Sequence, residues 1–154
     1  MPTRKTPSDR SVEEQLRALI PKSLGDVIRV DRDECRLALA TDDELRGLAA
    51  AVSDAHCRHV LTHWQIVVIH LAMRGDAAVS SPHLTGRVRE TGQSWMTSKV
   101  IGIDEEKGMV QTQNSRYRVL GSRVAESELD LPYICATLNY WRIGQLFGVP
   151  AFFF

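Results

Sequence analysis

Hydrophobic and polar positions change their spacing several times along the chain, and the changes predict its elements. Residues 1–10 are polar and offer almost nothing to bury, which predicts a mobile arm ahead of a single domain over 11–154. Ser11-Val-Glu-Glu14 has the form of a capping box, with Leu16, Leu19 and Ile20 following on one helical face before Pro21 ends the pattern. Residues 26–40 are ambiguous: Val27 to Val30 and Cys35 to Ala40 each fit a short strand. Thr41-Asp-Asp-Glu44 is a second capping box, and a helical pattern runs from it to Arg74, where Gly75 suits the C′ position. One helix of that length is long for a globular domain, so two helices broken near Ser53-Asp54 fit better, although residues 42–74 leave one or two open. The second would present Val60, Leu61, Trp64, Val67, Val68 and Leu71 on one face.

After Gly75 the pattern turns to alternation. His83 to Arg89, Ser94 to Asp104, Met109 to Gln113 and Tyr117 to Leu120 are separated by turn residues at Thr91-Gly92, Glu105 to Gly108 and Asn114-Ser115. This predicts an antiparallel four-stranded meander over 83–121. Asp130-Leu-Pro132 reads as an N-cap followed by proline in the first turn, opening a largely apolar helix over 131–147. The expected fold is α+β: a helical part over 11–75 and the C-terminal helix, both packed on the small meander.

Composition narrows the function classes. Nineteen Lys plus Arg balance nineteen Asp plus Glu, which argues against a protein that is cationic overall and leaves room only for a local basic patch. Cys35, Cys57 and Cys135 are odd in number, widely spaced and without a CxxC pair, as expected of free thiols in the cytoplasm. The N-terminal residues lack the apolar core of a secretory signal, and the run from Ile66 to Met73 is too short to span a bilayer, so no membrane partner is expected.

Three groups of residues are candidates for chemistry. On a helix, His56, His59, His63 and His70 would share one stripe, and His59 and His63 would have the i, i+4 spacing that suits a shared metal. No acid or thiolate shares that line, so the stripe reads first as the half-buried flank of an amphipathic helix, with no cofactor expected. A metal-dependent enzyme built on it is the remote alternative. Cys57 beside His56 lacks an orienting acid for a nucleophilic pair. The second group is Arg87, Arg89, Arg116 and Arg118, which alternate as a solvated sheet face does. With Trp95 and Tyr117 nearby they also have the composition of a nucleic-acid-binding sheet, with weak affinity expected. The third is Phe152, Phe153 and Phe154, too apolar for a free tail, and expected to pack on their own core or to meet a protein partner or second copy.

Gly86, Thr97-Ser98, Val100, Asp104, Gly108, Thr112 and the run Ser115 to Gly121 (SRYRVLG) together resemble a segment that recurs in small uncharacterised proteins of bacterial and prophage origin. The resemblance covers about residues 86–121 and carries no activity with it. It implies a mobile-element context, in which a non-enzymatic, protein-binding role, for example as an anti-CRISPR-type inhibitor of a host or defence protein, would be expected. A nucleic-acid-binding regulator is the alternative.

Overall fold

In a computed structural model, which describes residues 14, 21–28, 35–71 and 79–141, the chain is predominantly β. Six strands are joined in one sheet: β1 (Cys35–Leu39), β2 (His59–Leu71), β3 (Val79–Val88), β4 (Ser94–Asp104), β5 (Met109–Thr112) and β6 (Arg116–Val119). Two α-helices, α1 (Asp42–Gly47) and α2 (Leu131–Tyr140), and 3-10 turns at Leu24–Asp26 and Glu126–Glu128 complete the described elements. This overturns the α+β expectation of a helical first half. Within that half the structure has a strand at β1, a six-residue helix at α1 and a thirteen-residue strand at β2. The expected arm at 1–10, the rest of the helix around Glu14, residues 142–147 of the expected C-terminal helix, and Phe152 to Phe154 lie outside the described residues.

Strands β2 to β6 run up and down in sequence order, and β6 returns to pair with β2. An odd number of alternating strands leaves the first and last pointing the same way, so this closure has to be parallel. It is, with His59 opposite Tyr117, Val60 opposite Arg118 and Leu61 opposite Val119. The result is a small barrel, and closure leaves its lower part no exposed sheet edge. The upper half of β2 continues beyond the barrel and pairs with β1 instead, from Leu39 opposite Val67 to Cys35 opposite Leu71.

The long strand β2 separates two hydrophobic cores. Leu61, Trp64 and Ile66 join Leu84, Val88, Val100, Ile103, Val110, Tyr117 and Val119 inside the barrel. Val67 and Ile69 point the other way, into a core formed with Leu24, Val27, Ile28, Cys35 and Leu37 and with Leu131, Ile134, Cys135 and Leu138 of α2. A strand buried on both faces has no polar alternation, and its unbroken apolar run meets helical spacing by default. The β-branched residues Val60, Thr62, Ile66, Val67, Val68 and Ile69 favour the strand. The capping box at Thr41 forms as expected, with Thr41 Oγ1 accepting from the Glu44 amide at 3.1 Å and Glu44 Oε1 accepting from the Thr41 amide at 3.0 Å. It nevertheless starts only α1, because the chain then becomes extended and bridges to β4, where Ile103 N donates to Leu48 O and Ala50 N to Ile103 O.

Closing so few strands requires sharp bends, and irregular registers supply them. Strand β2 carries an extra residue between Thr62 and Gln65 relative to β3, and His63 there adopts φ 50°. Gly86 faces this bulge. A Cβ at Gly86 would lie 3.0 Å from Thr62 O, 3.3 Å from Leu61 Cβ and 3.4 Å from the Cα of Trp64. Strand β4 shows two further shifts, between His83 and Thr85 in its pairing with β3 and between Val100 and Gly102 in its pairing with β5. Among the described residues, no helix is long and apolar enough to cross a membrane.

The bulge therefore makes Gly86 intolerant of a side chain. Gly86→Ala is expected to lower the unfolding free energy by about 1–3 kcal/mol in urea titrations. Gly47→Ala, where a Cβ meets nothing within 4 Å, should raise it by up to about 1 kcal/mol. Equal effects of the two substitutions would contradict this account of the bulge.

Candidate functional site

The barrel has two ends of different character. At the upper end, the turn from Glu105 to Gly108 and the residues Gly121 to Arg123 line a cleft of about 540 Å³ with Trp64 at its wall. Its charges are mixed: Asp104, Glu105 and Glu106 face Lys107 and Arg123. Asp104 is already engaged, accepting from the amides of Val52 at 3.0 Å and Lys107 at 3.2 Å. The Val52 amide, foremost, holds the Asp104 carboxyl below the usual carboxylate range.

The lower end is where β2, β4 and β6 begin and β3 and β5 finish. Here His56, Cys57, Arg58, Gln111, Asn114, Ser115 and Arg116 line a cleft of about 470 Å³. Parallel pairing brings Arg58 and Arg116 side by side, the Arg58 amide donating to Arg116 O at 2.8 Å. Neighbouring strands lie roughly 5 Å apart, so like charges in these positions repel unless an anion lies between or beside them. Among the described residues neither arginine has a carboxylate partner; the ion pairs there are Arg46 with Asp43 and Arg89 with Glu90. Asp130, which caps α2, accepts from Ser94 Oγ at the start of β4.

Aromatic groups adjoin the cationic cleft. The Arg58 guanidinium sits 5.1 Å from the centroid of the Trp95 ring, within the range of a cation–π contact. The His59 ring meets the same indole edge-on at 4.5 Å, and Trp95 Nε1 donates to Tyr117 Oη at 3.4 Å. Trp95, which packs against the barrel core, also lines a groove of about 350 Å³ together with Met96 and with Tyr133, Ala136, Thr137, Tyr140 and Trp141 of and beside α2. Helix α2 buries Leu131, Ile134, Cys135 and Leu138 at i, i+3, i+4 and i+7, which leaves Tyr133, Thr137 and Tyr140 along an adjoining stripe. Tyr140 is 85% exposed. Asp130 fixes this arrangement, accepting from the Tyr133 amide at 3.2 Å as the N-cap and from Ser94 Oγ at 2.5 Å at the start of β4. Partial burial raises the phenol of Tyr133 above its ordinary pKa.

The structure disperses the histidines that helical spacing would have gathered. His56 lies ahead of β2, His59 sits at the lower mouth against Trp95, and His63 is exposed at the bulge with Nδ1 beside Thr62 Oγ1. His70 pairs with Ser80 Oγ near the far end of the strand. At about 3.3 Å per residue, four strand positions separate His59 from His63 by roughly 13 Å, so the shared-metal spacing is lost with the helix. Among the described residues, no three His, Cys, Asp or Glu side chains are grouped to hold a metal ion. Cys57 and His56 line the same cleft, which contains no carboxylate to orient the imidazole. Of the four meander arginines, only Arg116 lines the lower cleft. Arg118 donates to Lys107 O at 3.3 Å near the upper turn, Arg87 is exposed on β3, and Arg89 is paired with Glu90 at 3.4 Å. Arg58 and the α2 aromatics were not singled out by sequence reasoning. The adjacent Cys57-Arg58-His59, poised just before the apolar run, was the available signal.

His83, the fifth histidine, supports the back of the groove. Its ring lies 4.9 Å from that of Trp141, Nδ1 donates to Thr97 O at 2.9 Å, and Nε2 is 2.9 Å from Ser81 Oγ. Burial, foremost, holds its pKa below the ordinary 6.5. As pH falls through about 6.5 the unfolded chain takes up this proton before the folded one does, so folding is weakened. Above that value His83 contributes no pH dependence. The unfolding free energy is therefore expected to fall below about pH 6.5, by at most about 1.4 kcal/mol per pH unit from this group. His83→Gln should flatten that slope in denaturant titrations from pH 5 to 8, and an unchanged slope would contradict the assignment.

The chain matches no protein-family model, no curated protein and no solved structure. Nothing in these comparisons supports the mobile-element context or the anti-CRISPR-type role drawn from residues 86–121.

Proposed function

We propose that this protein is a nucleic-acid-binding module that holds the phosphate backbone at the lower end of its barrel. The observation that carries this reading is the pairing of Arg58 with Arg116 across the parallel closure, in one cleft and without a carboxylate partner among the described residues. Two arginines from neighbouring strands in one cleft offer several N–H donors of the kind that phosphate oxygens accept. Asn114, Ser115 and Gln111 add polar groups to the same cleft. The zero formal charge of the chain is compatible with such a patch, because acids concentrate elsewhere: Asp42, Asp43 and Glu44 begin α1, and Asp104, Glu105 and Glu106 lie near the upper cleft. Its three cysteines, odd in number and widely spaced, suit a cytoplasmic protein.

A protein partner is the second reading, favoured by the exposed Tyr140 and the apolar groove beside it. Salt separates the two, since phosphate contacts release counterions and an apolar protein contact does not. Fluorescence anisotropy with labelled oligonucleotides should show affinity falling steeply as salt rises from 50 to 200 mM. Arg58→Ala/Arg116→Ala should weaken binding and reduce the slope of log affinity against log salt by about 1–2. Arg46→Ala, at the upper end, should change neither. Absence of oligonucleotide binding at low salt, or an equal effect of the Arg46 control, would overturn the proposal.

A further inference from the structure

We infer that the ligand is single-stranded and that its unpaired bases lie in the aromatic groove along α2; this rests on the proposal that the lower cleft holds the backbone. The two surfaces meet at one residue. Trp95 receives the Arg58 guanidinium on its ring at 5.1 Å and also lines the groove with Tyr133, Tyr140 and Trp141. A strand whose phosphates are held by Arg58 and Arg116 would thus pass Trp95 on its way from the cationic cleft to the groove that Tyr133, Tyr140 and Trp141 line. This is the combination by which sequence-tolerant single-strand binders work: cations track the backbone, and bases stack on π-faces.

Neither part alone makes that distinction. A cationic cleft accepts phosphates from a duplex or from any polyanion, and an aromatic groove alone accepts many apolar groups. Their continuity selects a chain in which an anionic backbone carries flat, apolar faces beside it. In a duplex those faces are stacked inside and are withheld from side chains unless a base is flipped out. The groove is also firmly built. Ser94 and Asp130 tie the start of α2 to the start of β4, and His83 backs Trp141 from beneath. Tyr140 is the ring whose removal disturbs the fold least, because it is 85% exposed and belongs to neither hydrophobic core.

The test uses the full chain and three probes: a labelled single-stranded oligonucleotide, the duplex of the same sequence, and heparin as a polyanion without bases. The single strand is expected to bind at least tenfold more tightly than the duplex. Tyr140→Ala should weaken the single strand by about fivefold or more and leave heparin unchanged, with circular dichroism confirming the native fold. Arg58→Ala/Arg116→Ala should weaken all three. Cys57, the exposed thiol in the lower cleft, should be shielded from a thiol reagent by the bound single strand. If the duplex or heparin matches the single strand, or if Tyr140→Ala leaves single-strand affinity unchanged, the base-stacking inference is overturned while the backbone site stands. That outcome would leave the groove to a protein partner. If none of the three probes binds, the backbone site is overturned and the inference with it.

Discussion

The structure depends on β2 being buried on both faces. One face of the strand fills the barrel through Leu61, Trp64 and Ile66, and the other supplies Val67 and Ile69 to the core beneath α2. Neither core exists without this strand, because each lacks a wall once β2 is removed. The same strand provides the closing edge for β6 below and the pairing edge for β1 above. A single polar residue pointing either way would go unpaired between two apolar layers, at a cost of roughly 1–3 kcal/mol. Gln65 shows how that is avoided: its amide donates to Val124 O at 2.8 Å and its carbonyl oxygen accepts from the Ile66 amide at 2.9 Å.

The candidate site follows from that constraint. Closure of five strands forces the parallel β2–β6 contact, and only this contact brings Arg58 beside Arg116. The second core fixes where α2 lies, because Leu131, Ile134, Cys135 and Leu138 must face Val67 and Ile69. That orientation leaves Tyr133 and Tyr140 lining the groove that Trp95 also lines. The cationic cleft and the aromatic groove are therefore placed by the packing of apolar residues that line neither.

Much of the local detail was legible in the sequence, and the topology was not. The turns after Val88, Asp104 and Thr112, the capping box at Thr41 and the Asp130 cap all stand where their residue types indicate. Alternation marked the strands from β3 to β6 because each has one face inside the barrel. It failed for β2, whose apolar run is continuous for the reason that makes the strand central. Reading β2 as a helix gathers four histidines into a stripe, whereas the structure leaves His56 ahead of the strand and spreads the other three along it, and that reading hides Arg58 from the arginine it joins. The β-branched content of residues 60–69 was the physical signal against the helix. Arg116 was recognisable as a candidate from alternation; its partnership with Arg58 required a parallel pairing between residues far apart in sequence, which no local pattern encodes.

The central claim, that β2 is a doubly buried strand closing the barrel on β6, is tested most directly by nuclear Overhauser contacts in the labelled protein. The account predicts cross-strand contacts linking His59, Val60 and Leu61 with Tyr117, Arg118 and Val119 in parallel register, together with strong sequential Hα–amide contacts from residue 59 to 71. Helical i, i+3 contacts through residues 56–71, with no contact to residues 117–119, would contradict it.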